Sequence, residues 1–185
     1  MWTAENSGHE DRRYLGMSRI SECPRRLYFE VLNGTPATES DKLRFYAGYL
    51  WERDVVSRLK SLGLYSANSR EITALGGRFV GHTDGEIEGD LLEIKSVTSN
   101  KYERLLRDKR LPSNHFRQIQ TYMLHGKYQR AFVVYVVRDM GDIHVEEVRC
   151  IPKIGETMTE KARRILSAID AGNPPQCECG NCAGA

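Results

Sequence analysis

No apolar run in the 185-residue sequence approaches the roughly 20 residues that a membrane-spanning helix requires, which argues against a helical anchor. Residues 1–13 are polar and charged and lack the apolar core of a signal peptide, so the expectation is a cytoplasmic protein. Internal repeats and a linker are both missing, which favours one domain over residues 1–185. Within it, 1–16 is expected to be loosely ordered and 173–185 to be a tail that packs back near Cys23. Charge of one sign is also missing, because the net charge is only +2 and the chain as a whole does not announce nucleic acid. Cysteine is scarce and odd in number: Cys23, Cys150, Cys177, Cys179 and Cys182. A secreted disulfide framework is usually even and dispersed, so metal or cluster ligation in a reducing compartment fits better.

What is present is the composition of a globular domain, 40% hydrophobic and 28% charged. Positive charge is local. Residues 101–130 carry Lys101, Arg104, Arg107, Lys109, Arg110, Arg117, Lys127 and Arg130 against Glu103 and Asp108, and Arg12, Arg13, Arg19, Arg25 and Arg26 form an earlier cluster. Such excess is what phosphate contact requires, although charge runs are commonly solvated faces.

Residues 18–31 read as a broken helix with Cys23 at an N-cap-like position and Pro24 in the first turn, where its missing N–H costs nothing. Residues 41–62 give the strongest helix pattern, closed by Gly63. Its apolar stripe runs Phe45, Tyr49, Glu52, Val56 and Leu59, with a carboxylate in mid-stripe. Such a group needs a partner, either a salt bridge or a metal. Residues 77–81, 84–88 and 91–97 alternate as strands, 113–125 is a second helix, 131–138 and 143–151 are strands, and 156–171 is a last amphipathic helix. This order predicts an α/β domain with a central mixed sheet flanked by helices.

A turn at Gly89-Asp90 would pair Glu86 with Glu93 and Asp84 with Lys95. Side chains alternate along a strand, so Asp84, Glu86, Glu93 and Lys95 share one face and Ile87, Leu92 and Ile94 the other. Crowded carboxylates need a cation, and their oxygens suit Mg²⁺ or Mn²⁺. A lysine beside such an ion can handle the proton of an attacking water. The plainer alternative is an acidic strand face with Lys95 as a cross-strand ion pair. On the following helix His115, Gln118 and Tyr122 form a polar edge beside the apolar Phe116, Ile119 and Met123.

The run Gly48…Glu52, Gly81-His82-Thr83-Asp84, Glu93-Ile94-Lys95 and Gln118-Ile119-Gln120-Thr121-Tyr122 resembles the RecB-like branch of the PD-(D/E)XK nuclease superfamily. Cys23-Pro24-Arg25-Arg26 with three late cysteines is most similar to the CRISPR-associated four-cysteine RecB-like exonucleases and their viral relatives. The resemblance implies a restriction-endonuclease-like mixed sheet and a metal-dependent deoxyribonuclease, an exonuclease on single-stranded DNA or DNA ends. It implies Mg²⁺ or Mn²⁺ held by Asp84, Glu93, the Ile94 carbonyl and Glu52, with Lys95 catalytic and Gln118 and Tyr122 positioning. It further implies an iron–sulfur cluster, 4Fe–4S, on Cys23, Cys177, Cys179 and Cys182, with zinc as the alternative. Arg25, Arg26, Lys101, Arg104, His115 and Arg117 are the expected DNA contacts, and CRISPR integration or recombination proteins the expected partners. Two departures stand out: Glu52 occupies a place where the family often has His, and Cys177-x-Cys179-x-x-Cys182 is tighter than the usual spacing. The competing class is a catalytically silent nuclease fold that grips DNA or a recombination partner.

Overall fold

The computed structural model describes residues 14–34 and 36–180. Its elements are β1 (Leu15–Gly16), a single 3₁₀ turn (Met17–Arg19), α1 (Pro24–Asn33), α2 (Glu39–Ser61), β2 (Tyr65–Ala67), β3 (Glu71–Ala74), β4 (Phe79–His82), β5 (Gly85–Ile87), β6 (Asp90–Val97), α3 (Ser99–Asp108), α4 (Ser113–Gly126), β7 (Arg130–Val137), β8 (Asp142–Arg149) and α5 (Pro152–Asp170). The expected mixed sheet flanked by helices is present, in the order β2-β5-β6-β7-β8, with β6 and β7 parallel and the other neighbours antiparallel. A second, three-stranded sheet, β1-β4-β3, was not read from the sequence. It takes up the strand expected at 77–81, which therefore does not join the main sheet. Residues 15 and 16, expected within a loose 1–16 stretch, are anchored: Leu15 pairs in parallel with Phe79 and is fully buried. Residues 1–13 lie outside the described residues.

Two cores cover the two faces of the main sheet. Leu91, Val133 and Tyr135 pack with Ile119 and Met123 of α4 and with Ala162, Ile165 and Leu166 of α5. On the opposite face Leu92, Ile94, Val134 and Val136 pack with Val55 of α2, with Trp51, Val56 and Leu59 at the margin. Strand β6 therefore sends odd-numbered side chains beneath α4 and even-numbered ones beneath α2, as strand geometry requires. Helix α2 starts two residues before the expected Asp41 because Thr38 and Asp41 form a capping box: the Thr38 hydroxyl accepts from the Asp41 N–H, and Asp41 accepts from the Thr38 N–H, both at 3.2 Å. Pro24 opens α1 directly after Cys23, as expected. Helix α3 has no counterpart in the sequence reading, since Leu105 is its single buried residue.

The β5–β6 hairpin corrects the expected register. Its two turn residues are Glu88 and Gly89, both at positive φ (51° and 87°), so Ile87 pairs with Asp90 and Glu86 with Leu91. Asp90 is fixed as a strand residue by Arg130, whose Nε donates to it at 2.7 Å. Moving the turn by one residue slides the register by two, so every side chain keeps its face. Continued one step past the ladder, this register sets Asp84 level with Glu93 rather than with Lys95. Among the described residues no helix is long and apolar enough to cross a membrane.

Candidate active site

Asp84 lies where the chain leaves the small sheet for the large one, between β4 and β5. That crossing is held on both sides. The Thr83 N–H donates to the Arg70 carbonyl at 3.0 Å, and its hydroxyl accepts from the Arg70 N–H at 3.1 Å. The Asp84 carbonyl accepts from the Tyr65 hydroxyl at 3.0 Å, and Gly85 follows at φ 146° with a Cβ position that would overlap the Tyr65 ring. Glycine is needed there for both reasons. The Asp84 carboxylate then accepts from the Ile94 N–H at 2.6 Å, which aims it across β6.

Glu93 projects beneath α4 and is 2% exposed. Its Oε1 accepts from Lys95 Nζ at 2.6 Å and from Gln118 Nε2 at 2.8 Å, and Lys95 also donates to Gln118 Oε1 at 3.1 Å. Gln118 thus bridges both members of the ion pair, one amide end to each. Glu93 Oε2 is buried and has no hydrogen-bond partner among the described residues. A buried carboxylate oxygen left unsatisfied is costly unless something absent from the polypeptide meets it.

Tyr122, one helical turn beyond Gln118, is 2% exposed. Its ring fills the space above Gly81, and burial, followed by the Glu93 charge, raises the pKa of its hydroxyl. Glu52 on α2 and Lys95, Gln118 and Tyr122 line one cleft of about 450 Å³ together with Asp84, Glu93 and Ile94. Burial first, and then the Glu93 and Glu52 charges, holds the Asp84 carboxyl well above the usual carboxylate range. Glu52 is raised too, by burial and then by Glu93. Burial works against charge on the Lys95 amine, but the Glu93 and Asp84 carboxylates outweigh it and lift its pKa above the ordinary lysine value. Three carboxylates share this cleft with a single lysine, and one oxygen of Glu93 has no hydrogen-bond partner among the described residues. This oxygen-rich, under-compensated set fits a divalent cation such as Mg²⁺ or Mn²⁺.

Other expected residues lie elsewhere. Glu86, placed on the same strand face, is drawn away by Arg70 (3.3 Å) and by the Tyr128 hydroxyl, which donates to it at 2.5 Å. His115 sits one turn before Gln118, stacked on Tyr135 with Nδ1 3.0 Å from its hydroxyl. Burial, and then Lys95 and Lys101, lowers its pKa to about 4, so it is neutral at physiological pH. Lys101, Arg104 and Arg117 are exposed on α3 and α4. Arg26 pairs with Glu22 at 3.6 Å, while Arg25 lies over the Phe29 ring and donates to the Pro175 carbonyl at 3.3 Å.

That last contact brings the C-terminal tail to the start of α1. The ligand atoms of Cys23, Cys177 and Cys179 lie within 4.8 Å of one another, and the Glu178 N–H donates to Cys23 Sγ at 3.4 Å. Such a convergence of sulfurs can hold a metal centre. Cys182 lies outside the described residues, and Cys150 stands apart at the end of β8.

Gln120 and Gly81 are structural contributors that sequence reasoning did not single out. Gln120, fully buried, donates to the Arg149 carbonyl at 2.9 Å and accepts from the Ile151 N–H at 2.6 Å, tying α4 to the end of β8. Its signal was an amide on the apolar side of a helix, which must find partners.

Among solved structures, the chain is similar to an alkaline exonuclease, LHK-Exo, from Laribacter hongkongensis, with a TM-score of 0.69 at 16% identity over 88% of this chain and 90% of that one. The same exonuclease in complex with dAMP gives 0.68 at 17% identity, with the same coverage. A phage related exonuclease from Haemophilus somnus 129PT gives 0.61 at 12% identity, over 85% of this chain and 94% of that one. No protein-family model matches the sequence, and no curated protein matches it. At such identities the likeness is one of fold: this chain has the fold of these exonucleases.

Proposed function

We propose that the protein is a metal-dependent DNA nuclease of the PD-(D/E)XK type, an exonuclease acting on single strands or DNA ends. One observation carries the reading: the buried, unpartnered Glu93 Oε2 belongs to a cleft also lined by Asp84, Glu52 and Lys95. Asp84, Glu93, the Ile94 carbonyl and Glu52 would hold Mg²⁺ or Mn²⁺. When bound, the ion would polarise the phosphate and favour ionisation of the attacking water. Lys95, kept protonated by its carboxylate neighbours, orients that water and offsets charge developing on the phosphorus oxygens. Gln118 fixes the Lys95 amine against Glu93, so the amine is directed before DNA arrives. Tyr122, one helical turn on, would position Gln118 or the scissile phosphate. Lys101, Arg104 and Arg117, with the α1 arginines Arg25 and Arg26, would contact the phosphate backbone.

At the start of α1, Cys23, with Cys177, Cys179 and Cys182, would share an iron–sulfur cluster, 4Fe–4S, or zinc. The three described sulfurs support this by their convergence, and Cys23 also sits at the N-terminus of α1, where the helix dipole favours thiolate. The four-cysteine pattern is also what would place the enzyme in CRISPR adaptation or in recombination and repair, with integration or recombination proteins as partners. The test of activity is degradation of end-labelled single- and double-stranded DNA with Mg²⁺ or Mn²⁺. Loss of cleavage with chelator and in Asp84→Ala is the expected result. Binding without cleavage under every metal condition would make the protein a silent DNA-gripping module.

A further inference from the structure

The main sheet ends at β8, which has no strand on its outer side among the described residues. The Cys150 N–H, just past β8, donates to the Gln129 carbonyl, just before β7, at 2.9 Å. In an antiparallel ladder alternate residues point their backbone groups at the neighbour, so even-numbered residues of β8 face β7 and odd-numbered ones face outward. Gln120 agrees with that direction. Its side-chain amide donates to the Arg149 carbonyl at 2.9 Å and accepts from the Ile151 N–H at 2.6 Å, as a further strand would. Before that point the N–H and C=O groups of Ile143, Val145 and Glu147 find no partner among the described residues. The side chains are uncovered too. Ile143 and Val145 sit opposite the buried Val136 and Val134 of β7, yet are themselves 50% and 52% exposed, and the core beneath α2 does not take them in. A long apolar edge with no proline and no lysine in it is a template for another strand.

We propose that β8 pairs antiparallel with β8 of a second copy of this chain, about a two-fold axis at Val145, so that the main sheet runs from one molecule into the next. In that register Val145 faces Val145, and Ile143 of each copy faces Glu147 of the other. Every outward backbone group of these three residues then has a partner. The side chains match as well. His144 of each copy lies opposite Glu146 of the other, Asp142 lies opposite Val148, and no two acidic residues oppose each other. The Glu147 charge is already offset by Arg130 at 3.7 Å and Arg149 at 3.5 Å. Ile143 and Val145 of both copies meet on one face, in line with the buried Val134 and Val136. A parallel partner in the same alignment would set Glu146 and Glu147 level with themselves, and an unrelated strand need not answer the two carboxylates at all. The occupant is therefore a second copy. None of the cleft residues takes part, so the pairing is independent of the nuclease reading.

The test follows the mass of the full chain by sedimentation from about 1 μM to about 1 mM, a span that covers weak association. The wild type should pass from monomer to dimer. Val145→Lys and Val145→Glu each set two like charges against each other across the axis and should raise the dimer Kd about a hundredfold or more. Mixed in equal amounts, the two variants bring opposite charges together there and should dimerise again, which misfolded chains cannot do. Amide exchange of the wild type gives a reading that needs no variant. Exchange at Ile143, Val145 and Glu147 should slow as concentration rises, whereas the Ile151 amide, held by Gln120, should be slow throughout. A wild type that stays monomeric overturns the pairing, as does a dimer that persists unchanged in Val145→Lys or a mixture of folded variants that fails to associate. Edge amides that exchange fast at every concentration overturn it too. Edge amides protected at every concentration would mean that another segment of the chain caps β8, and they overturn it equally.

Discussion

Tyr122 occupies the place of a side chain that Gly81 does not have: a Cβ on Gly81 would lie 2.3 Å from Tyr122 Cε1 and 3.0 Å from Met17 Sδ. Both neighbours are buried, Tyr122 at 2% exposure and Met17 at 0%, so neither can retreat into solvent. Gly81→Ala should therefore overpack the joint between β4 and α4, destabilising by about 1–3 kcal/mol and lowering Tm by roughly 2–10 °C. Because the displaced ring lines the same cleft as Gln118, Glu93 and Lys95, cleavage should fall as well. Adding Tyr122→Leu should restore part of the lost Tm and none of the cleavage. Unchanged melting of Gly81→Ala would show that the ring swings aside.

Lys95→Ala leaves Glu93 buried without its cationic partner. Removing one member of a buried pair costs about 3–5 kcal/mol, and the 23% exposure of the Lys95 side chain reduces this to about 2 kcal/mol. Mn²⁺ should raise the Tm of the variant more than that of the wild type, since the metal takes over charge compensation. Cleavage should stay absent in both conditions. A variant that melts like the wild type and still degrades DNA removes Lys95 from the mechanism and from the ion pair alike.

The Asp84 shift sets the sign of a pH effect. Burial, with Glu93 and Glu52, raises its folded-state pKa above the unfolded value, so the folded protein holds the proton more tightly. The associated stability is complete in acid, below the usual carboxylate value of about 4, and is lost as pH rises through the raised folded value. Without metal, Tm should decline across that window. Added Mg²⁺ should stabilise most at its upper end, where the carboxylate is free to bind. Asp84→Asn should flatten both trends. A metal-free Tm that climbs steeply over this range in the wild type and in Asp84→Asn alike would assign the pH dependence to other groups.

The polar face of the hairpin was legible because side-chain alternation survives an even slip. With the turn misplaced by one residue, Asp84, Glu93 and Lys95 still shared a face. Gln118 and Tyr122 were legible as a polar edge on an apolar helix. The Phe45–Tyr49–Glu52 stripe was legible as a pattern, yet Phe45 and Tyr49 are half-exposed, since amphipathic spacing reports that a face is apolar and not what covers it. Glu86 could not be separated from its acidic neighbours, because its partners, Arg70 and Tyr128, come from distant positions in the sequence. The small sheet escaped as a unit, although its strand at 77–81 was read, because its other strands run for two and four residues, too short for periodicity to show. Gly81 was read only as part of the Gly81-His82-Thr83-Asp84 motif, and its packing role exists only once α4 is laid across β4.

The cysteines offer a test independent of the cleft. Cys23 opens α1, whereas Cys177 and Cys179 follow α5, so one centre shared by them closes a loop around nearly the whole fold. A metal bound only by the folded chain adds its binding free energy to stability, and closure of so long a loop removes freedom from the unfolded chain. Cys23→Ser should release metal and lower Tm, and it should loosen the tail that Arg25 holds through the Pro175 carbonyl. Protease cutting after residue 172 should then become faster. Cys150→Ser should do none of this, since Cys150 packs at the margin of the main core and lies outside the sulfur group. Anaerobic purification should yield a brown protein if the centre is iron–sulfur and a colourless, zinc-containing one if it is not. A protein with neither metal by elemental analysis, and with unchanged melting in Cys23→Ser, would sink the shared centre. The cleft would be untouched by that outcome, because Asp84, Glu93 and Lys95 are held by Ile94 and Gln118 and by no cysteine.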